Sequence, residues 1–530
     1  MVDSIGPLTL NHLWAWLAHE HGDRPFLIFI DREGTVRRAT YQEFDDEINQ
    51  VANLLVAHGV TNGSNVILQL PSSIDFLRVM FALVKIGAVA VPVNRDYQQQ
   101  EVEHIQQVCG ADVAIVAADK VAASSELPEL RTLFVAGDWP EEQAGEVIGL
   151  AARDRQPTTF AATSTITSES PAMMLFTSGT TAAPKGVVIT HANCLHAGLY
   201  HNWQMAMTAH DRMLTAMPME HSNFQLAALM PTLTAAAELV IVEHYSASRF
   251  WRQVREYRAT LIQAVATIVK TLLLQPVDPD EARHEVRDVQ YYLALDDEAK
   301  EQFECRFNTR LLNCYGLTET INWAITDFPH GPRRWPSIGR AGLGYEARVV
   351  GLDGQEVPAG EVGEIQVKGV RGRTLMLEYY RDPEATARSF TDDGWFRTSD
   401  RGYVDDHGWF FFAGRSSEVI KRAGRSISAL EVEEQLLAHP GVAEAAVVGV
   451  PDEIRDEAVV AFVTPRPGVL IDPNEVRAFV AARIAAYKVP SEVRVAADLP
   501  RTSTGKIAKR LLVPPVAEPQ LPLTKGNCYE

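Results

Sequence analysis

The chain has 530 residues, 46% of them hydrophobic, and a formal charge of −19 from 49 basic and 68 acidic side chains. This is ample for a large buried core and favours more than one domain. So acidic a surface repels nucleic acid and anionic membranes, which argues against both as general partners, and an anionic nucleotide must then be met by a local cationic site. The five cysteines, Cys109, Cys194, Cys305, Cys314 and Cys528, are scattered without CxxC or metal spacing, the pattern of reduced thiols in a cytoplasmic protein. Residues 1–19 show no basic segment followed by an apolar one, so no secretory leader is expected. No apolar run approaches the roughly 18 residues that a membrane helix needs.

Along the first part of the chain, short runs rich in Val, Ile and Leu at 65–70, 88–93, 112–116, 239–242 and 261–265 read as strands. Helical patterns lie between them, as at 41–58 and 73–86, with stops at Gly59 and Gly87. This alternation predicts α/β layers with largely parallel sheet. Next comes an apolar strand ending in Thr177-Ser178-Gly179-Thr180-Thr181-Ala182-Ala183-Pro184-Lys185-Gly186, which leads into another apolar strand. Glycines at 179 and 186 let backbone approach a ligand. The hydroxyls of Thr177, Ser178, Thr180 and Thr181, the loop N–H groups and the Lys185 ammonium suit phosphate oxygens. It is not a Walker A loop, because Pro184 stands at that motif's second glycine and Gly186 at its Ser/Thr. The competing reading, a polar hairpin tip, leaves the concentration of hydroxyls before Pro-Lys-Gly without a purpose.

Beyond Pro336 the pattern changes. Residues 348–368 read as short strands with turns at Asp353-Gly354 and Ala359-Gly360, in the manner of an antiparallel meander or small barrel. From about residue 416 a compact α+β unit is predicted, with a helix at 429–438, strands at 443–450 and 458–464, and a helix at 473–486. The expected division is 1–415, 416–513 and a proline-rich extended tail at 514–530.

The loop at 177–186 resembles the phosphate loop T-S-G-T-T-G-x-P-K-G of the acyl-adenylate-forming enzymes, with Ala182 in place of a glycine. That family includes acyl- and aryl-CoA synthetases, peptide-synthetase adenylation domains and luciferase. Further matches follow in the family's order. Tyr315-Gly316-Leu317-Thr318-Glu319 resembles Y-G-x-T-E. Trp395-Phe396-Arg397-Thr398-Ser399-Asp400 resembles W-x-x-T-G-D, with Ser399 for glycine. Gly414-Arg415-Ser416-Ser417-Glu418-Val419-Ile420-Lys421-Arg422-Ala423-Gly424 resembles the hinge motif, with Ser417 for the usual Asp or Lys. Pro500 to Ile507 resembles P-x-x-x-x-G-K-[IV]. The likeness spans residues 10–512, and segments at 245–247, 292–295, 333–340 and 486–490 look like the carnitine/crotonobetaine-CoA ligase branch.

The resemblance implies ATP, Mg²⁺ and coenzyme A as reactants and cofactors. It places Thr177, Ser178, Gly179, Thr180, Thr181 and Lys185 on the phosphates. It puts Tyr315 against adenine, Thr318 on the α-phosphate, Glu319 on the metal, and Asp400 and Arg415 on the ribose. Lys506 is then the adenylation lysine, bridging carboxylate and α-phosphate, while Lys421 and Gly424 arrive for thiol transfer as the small domain turns about Ser417. His221 stands beside the acyl pocket, and Glu431 and Glu433 are structural. Glu220 replaces the aromatic that helps gate the thiol channel in relatives. Either it favours a cationic substrate or weakens CoA passage, or it turns to solvent or pairs with an arginine. Both readings stay open.

The expected activity is activation of a carboxylic acid as acyl-AMP with release of pyrophosphate, then transfer to CoA by a cytoplasmic enzyme, with dimers common in the branch. The alternatives are transfer to a carrier-protein phosphopantetheine or an amine, activation of an inorganic oxyacid such as nitrite, and a non-catalytic nucleotide-binding protein. No G-x-G-x-x-G follows an early strand, which speaks against a Rossmann dehydrogenase.

Overall fold

The structure is a computed structural model. It describes residues 5–137, 139, 147–161, 165–177, 184–292, 295, 297–321, 323–415, 419–500, 507 and 509–513. Two large sheets carry most of the chain. In the nine-stranded sheet, the strands Pro25–Ile30, Glu238–Val242, Arg212–Thr215, Leu261–Ala264, Asp288–Tyr291 and Leu311–Tyr315 lie side by side and parallel. The eight-stranded sheet contains Val89–Pro92 and Pro171–Thr177, joined in parallel, with Lys185–Thr190 antiparallel to the latter. The strand runs read from sequence fall on these elements within a residue or two, because runs of β-branched residues buried on both faces leave little other choice.

Helix boundaries follow from capping. Tyr41–Ala57 opens on a box in which Thr40 Oγ1 accepts from the Glu43 N–H at 3.2 Å and Glu43 accepts from the Thr40 N–H at 2.8 Å. Ile74–Ile86 starts at Ser73 and stops at Gly87, whose φ of 86° no β-branched residue adopts cheaply. Every residue from Phe76 to Ile86 is buried. That helix therefore sits inside the main core, which draws side chains from both large sheets.

The stretch beyond 336 forms a four-stranded antiparallel sheet containing Glu346–Val350, Gly363–Lys368, Trp395–Val404 and Phe410–Arg415. After residue 418 comes the C-terminal domain. Its hairpin Val419–Arg422/Arg425–Ser428 joins the long strands Val442–Asp452 and Asp456–Pro465 in a mostly antiparallel sheet. The domain has its own apolar cluster around Ile420, Val432, Val447, Val459 and Val476. One boundary differs from expectation. The helix read as 473–486 ends at Ala481. The Arg483 and Ile484 N–H groups both turn back to the Val480 carbonyl, which drops Ile484 and Ala485 into the core. Local periodicity cannot reveal such a tertiary demand.

The helix His191–Gln204 carries a consequence for pH. Burial lowers His191 and His196 to about 4 and His201 to about 3, and His221 likewise reaches about 4. Neutral buried histidines contribute stability present above the unfolded value near 6.5 and lost as pH falls. Asp327 and Asp456, raised chiefly by burial to about 7 and about 6, act in the opposite sense. Glu101 and Glu220, also raised by burial, act with the aspartates, so the four rings leave at most about two protons, or less than about 3 kcal/mol per pH unit near pH 5–6. The thermal midpoint is therefore expected to drop on going from pH 7 to pH 5.5. A midpoint that holds or rises would refute this assignment of buried neutral rings.

Candidate active site

The strand ends bring the sequence motifs together. Six neighbouring parallel strands point their C-terminal ends the same way, and that is where open α/β sheets hold ligands. Leu311–Tyr315 leads to Thr318 and Glu319, Asp288–Tyr291 to Tyr292, Leu261–Ala264 to Val265, and Arg212–Thr215 to the segment ending at His221. From the other sheet, Thr177 ends its strand opposite Lys185 across a hairpin.

Glu319 is the meeting point. Its Oε1 accepts from Tyr379 Oη at 2.8 Å and from Thr177 Oγ1 at 3.3 Å. Lys185 Nζ lies 5.1 Å from the centre of the Tyr379 ring. Tyr379 reaches this place because Glu378–Tyr379 adds as an edge strand to Lys185–Thr190, pairing Tyr379 with Val187. The Tyr379 hydroxyl is held far above its ordinary pKa by burial and then by the Glu319 charge, so it stays a donor. A carboxylate held by two hydroxyls, one residue pair from an ammonium, fits an octahedral Mg²⁺ that takes few protein ligands and several phosphate or water oxygens.

A second group adjoins it. Tyr315 Oη donates to Asp400 Oδ2 at 2.8 Å, and Asp400 is paired in register with Arg415. Asp400 is almost fully buried. Thr318 Oγ1 lies 3.2 Å from Ser222 Oγ, which links the Glu319 loop to His221. His221 Nδ1 accepts from the Asn223 N–H at 3.1 Å, so its neutral ring bears the proton on Nε2. Burial and then Lys421 and Arg425 press its pKa to about 4.

Those two cations belong to the C-terminal domain. The turn of their hairpin has positive φ at both Ala423 (49°) and Gly424 (80°), the geometry of a tight two-residue hairpin turn. A Cβ on Gly424 would stand 3.6 Å from Val265 Cγ1, so the hairpin tip rests against a strand end of the large sheet. Glu220 accepts from Asn94 Nδ2 at 2.9 Å, and burial raises its pKa against the pull of Arg425. The hydrogen-bond partner of Glu220 is thus the Asn94 amide, while Arg425 lies 3.8 Å from Asp96.

Thus Thr177, Lys185, Tyr315, Thr318, Glu319, Asp400, His221, Lys421 and Gly424 converge. Ser178, Gly179, Thr180, Thr181, Ser417 and Lys506 lie outside the described residues, and for Arg415 only the backbone register enters. Glu431 and Glu433 make structural bonds as expected, the first to Lys488 Nζ and the second to the Val447 N–H and Lys509 Nζ. Sequence reasoning missed Tyr379 and Asn94. An aromatic pair at 379–380 was the only local signal, and it does not distinguish a ligand-holding phenol from core.

The model of the AMP-binding enzyme family matches residues 14–380, and that of the AMP-binding enzyme C-terminal domain matches 431–506. A crotonobetaine/carnitine–CoA ligase of Proteus mirabilis (strain HI4320) is 42% identical over 96% of this chain and all of its own length. The one from Citrobacter koseri is 40% identical with the same coverage. Among solved structures, ATP-bound MatB from Rhodopseudomonas palustris is 28% identical with a TM-score of 0.69, covering 95% of this chain and 98% of that one. An o-succinylbenzoate CoA synthetase from Bacillus subtilis, with a product analogue bound, shares the fold at a TM-score of 0.80 and 24% identity, covering 94% of this chain and 98% of that one.

Proposed function

This chain belongs to the AMP-binding enzyme family and is an ATP-dependent, AMP-forming acyl-CoA ligase, and we propose that its acid is a small carboxylic acid bearing a quaternary ammonium group. The observation that carries the substrate class is a stacked aromatic pair against the Met217–Asn223 segment that contains His221. Tyr292 and Trp323 lie with ring centres 4.6 Å apart and planes at 26°, and Tyr292 Oη reaches Met217 Sδ at 2.9 Å. Aromatic faces attract a desolvated quaternary ammonium, worth up to about 2 kcal/mol. The relatives named for crotonobetaine and carnitine support the same class. A trimethylammonium acid and its neutral tert-butyl isostere, compared by pyrophosphate release, test it. The cationic acid is expected to be favoured about tenfold or more in kcat/KM. The substitution Trp323→Leu should narrow the gap. Equal rates for the two acids would remove the cation from the proposal.

The proposed roles follow from charge. A carboxylate is a poor acyl donor because oxide would have to leave. Its attack on the α-phosphate makes a mixed anhydride whose leaving group is AMP. When bound, Mg²⁺ on Glu319 offsets the negative charge of the departing pyrophosphate. Lys185 and the hydroxyls of residues 177–181 hold that same charge, and Asp400 with Arg415 holds the ribose while Tyr315 lies against adenine. Lys506 bridges the carboxylate and α-phosphate where charge develops. No side-chain nucleophile is required, since positioning supplies the rate. The small domain, residues 416–513, then turns about Ser417, and Lys421 and Gly424 replace Lys506 for thiolate attack. The 1–415 unit, the 514–530 tail, a homodimer and a cytoplasmic location complete the proposal. Free buried thiols at Cys109, Cys194 and Cys314 support the last.

A further inference from the structure

Lys488 is buried to 1% exposure, yet its ammonium bridges two parts of the chain far apart in sequence. It lies 2.6 Å from Glu431 Oε1 within the C-terminal domain and 2.6 Å from Glu101 Oε1 of the large domain. It also stands 4.3 Å from the centre of the Tyr97 ring. Burial lowers its affinity for a proton, but Tyr97, Glu431 and Glu101 together more than restore it, so it is a full cation. Nearby, Arg425 lies 3.8 Å from Asp96 and 4.4 Å from the Tyr487 ring centre, while Asn94 holds Glu220.

The large-domain groups that meet these two cations, Asp96, Tyr97 and Glu101, all belong to residues 94–101, the turn and helix start that follow the strand Val89–Pro92. This segment receives two cations from the C-terminal domain at one moment. Arg425 is four residues from Lys421 in the same hairpin, and Lys488 closes the far side. A buried ammonium with two carboxylates is costly to leave half-paired, so the contact is made fully or given up as a unit.

We propose that residues 94–101 are a latch for the C-terminal domain, and that Glu101, by capturing Lys488, is a positioning residue that selects the arrangement with Lys421 beside His221. It acts in thiol transfer and not in adenylation. The proposal rests on the two-step reading above. Lys488 keeps Glu431 whichever way the domain turns, so only the Glu101 contact is conditional.

The variant to make is Glu101→Gln, which retains an acceptor for the Gln98 N–H that Glu101 now caps at 2.8 Å. The control on the same helix is Glu103→Gln, whose carboxylate meets only Gln99 among the described side chains. Two readouts are needed: amide hydrogen exchange of residues 95–101 and 484–489, and the separated half-reactions. Glu101→Gln is expected to raise exchange on both faces. It should slow CoA transfer from supplied acyl-adenylate about tenfold and leave acid-dependent ATP–pyrophosphate exchange close to wild type. Glu103→Gln should move none of these. Unchanged hydrogen exchange in Glu101→Gln, or equal loss in both half-reactions, overturns the latch. Failure of the underlying reading looks different: wild-type protein without acid-dependent exchange, with the amide-exchange result still deciding whether the latch exists.

Discussion

The substitution Lys506→Ala is expected to cut acid-dependent pyrophosphate release by about 10²- to 10³-fold, while transfer from supplied acyl-adenylate to CoA stays near wild type. Lys421→Ala is expected to do the reverse. The reason lies in the small sheet that carries Lys421 and against which Ile507 packs. Ile420 packs with Val447, Val459 and Ala461, whereas Ile507, next to Lys506, packs with Ala446, Val448, Val460 and Phe462. Successive strand residues face opposite sides, so these are opposite faces of the same sheet. With the 421–425 hairpin tip resting on Val265, Ile507 lies on the opposite face of that sheet. In the proposed two-step reading, the small domain rotates as a body between the two half-reactions. Single-turnover assays of each half-reaction check the pair. Equal losses in both halves for either variant would show that both lysines serve one arrangement.

Much of this was legible in the sequence because the motifs are local. The strands Pro171–Thr177 and Lys185–Thr190 announce themselves by apolar runs. Tyr315 sits at a strand end, Glu319 in the short turn that follows, and Asp400 within the strand Trp395–Val404. The contacts among them were not legible, since each joins segments remote in the chain: Thr177 to Glu319, Tyr315 to Asp400, Thr318 to Ser222. Tyr379 shows why the rest escaped. Its role depends on a two-residue edge strand that pairs with Lys185–Thr190, a register no periodicity encodes. Lys488, within Tyr-Lys-Val-Pro, has nothing in its local sequence to set it apart from a surface lysine. It is buried because two carboxylates from distant helices close over it, and such partners are invisible until the chain is folded.

The substitution Glu319→Gln should lower adenylation by about 10²-fold or more and shift its Mg²⁺ requirement upward, with little loss of folded stability. The glutamine amide keeps an oxygen for the Tyr379 and Thr177 hydroxyls, which now lie 2.8 and 3.3 Å from Glu319 Oε1, so the local hydrogen bonds survive. What disappears is the negative charge that the Tyr379 and Thr177 hydroxyls hold. A hard divalent cation needs that charge to stay beside the phosphates while the neighbouring Lys185 repels it. Tyr379→Phe provides a graded comparison. It leaves the charge and removes one donor that orients it, so a smaller fall of about 10-fold is expected, the usual scale for partners behind a metal ligand. Pyrophosphate release measured against Mg²⁺ concentration separates the two variants: excess metal should recover part of the Glu319→Gln loss and little of the Tyr379→Phe loss. If Glu319→Gln has a wild-type Mg²⁺ profile, the carboxylate is a structural acceptor for Tyr379, and the metal must be held by phosphates and water alone.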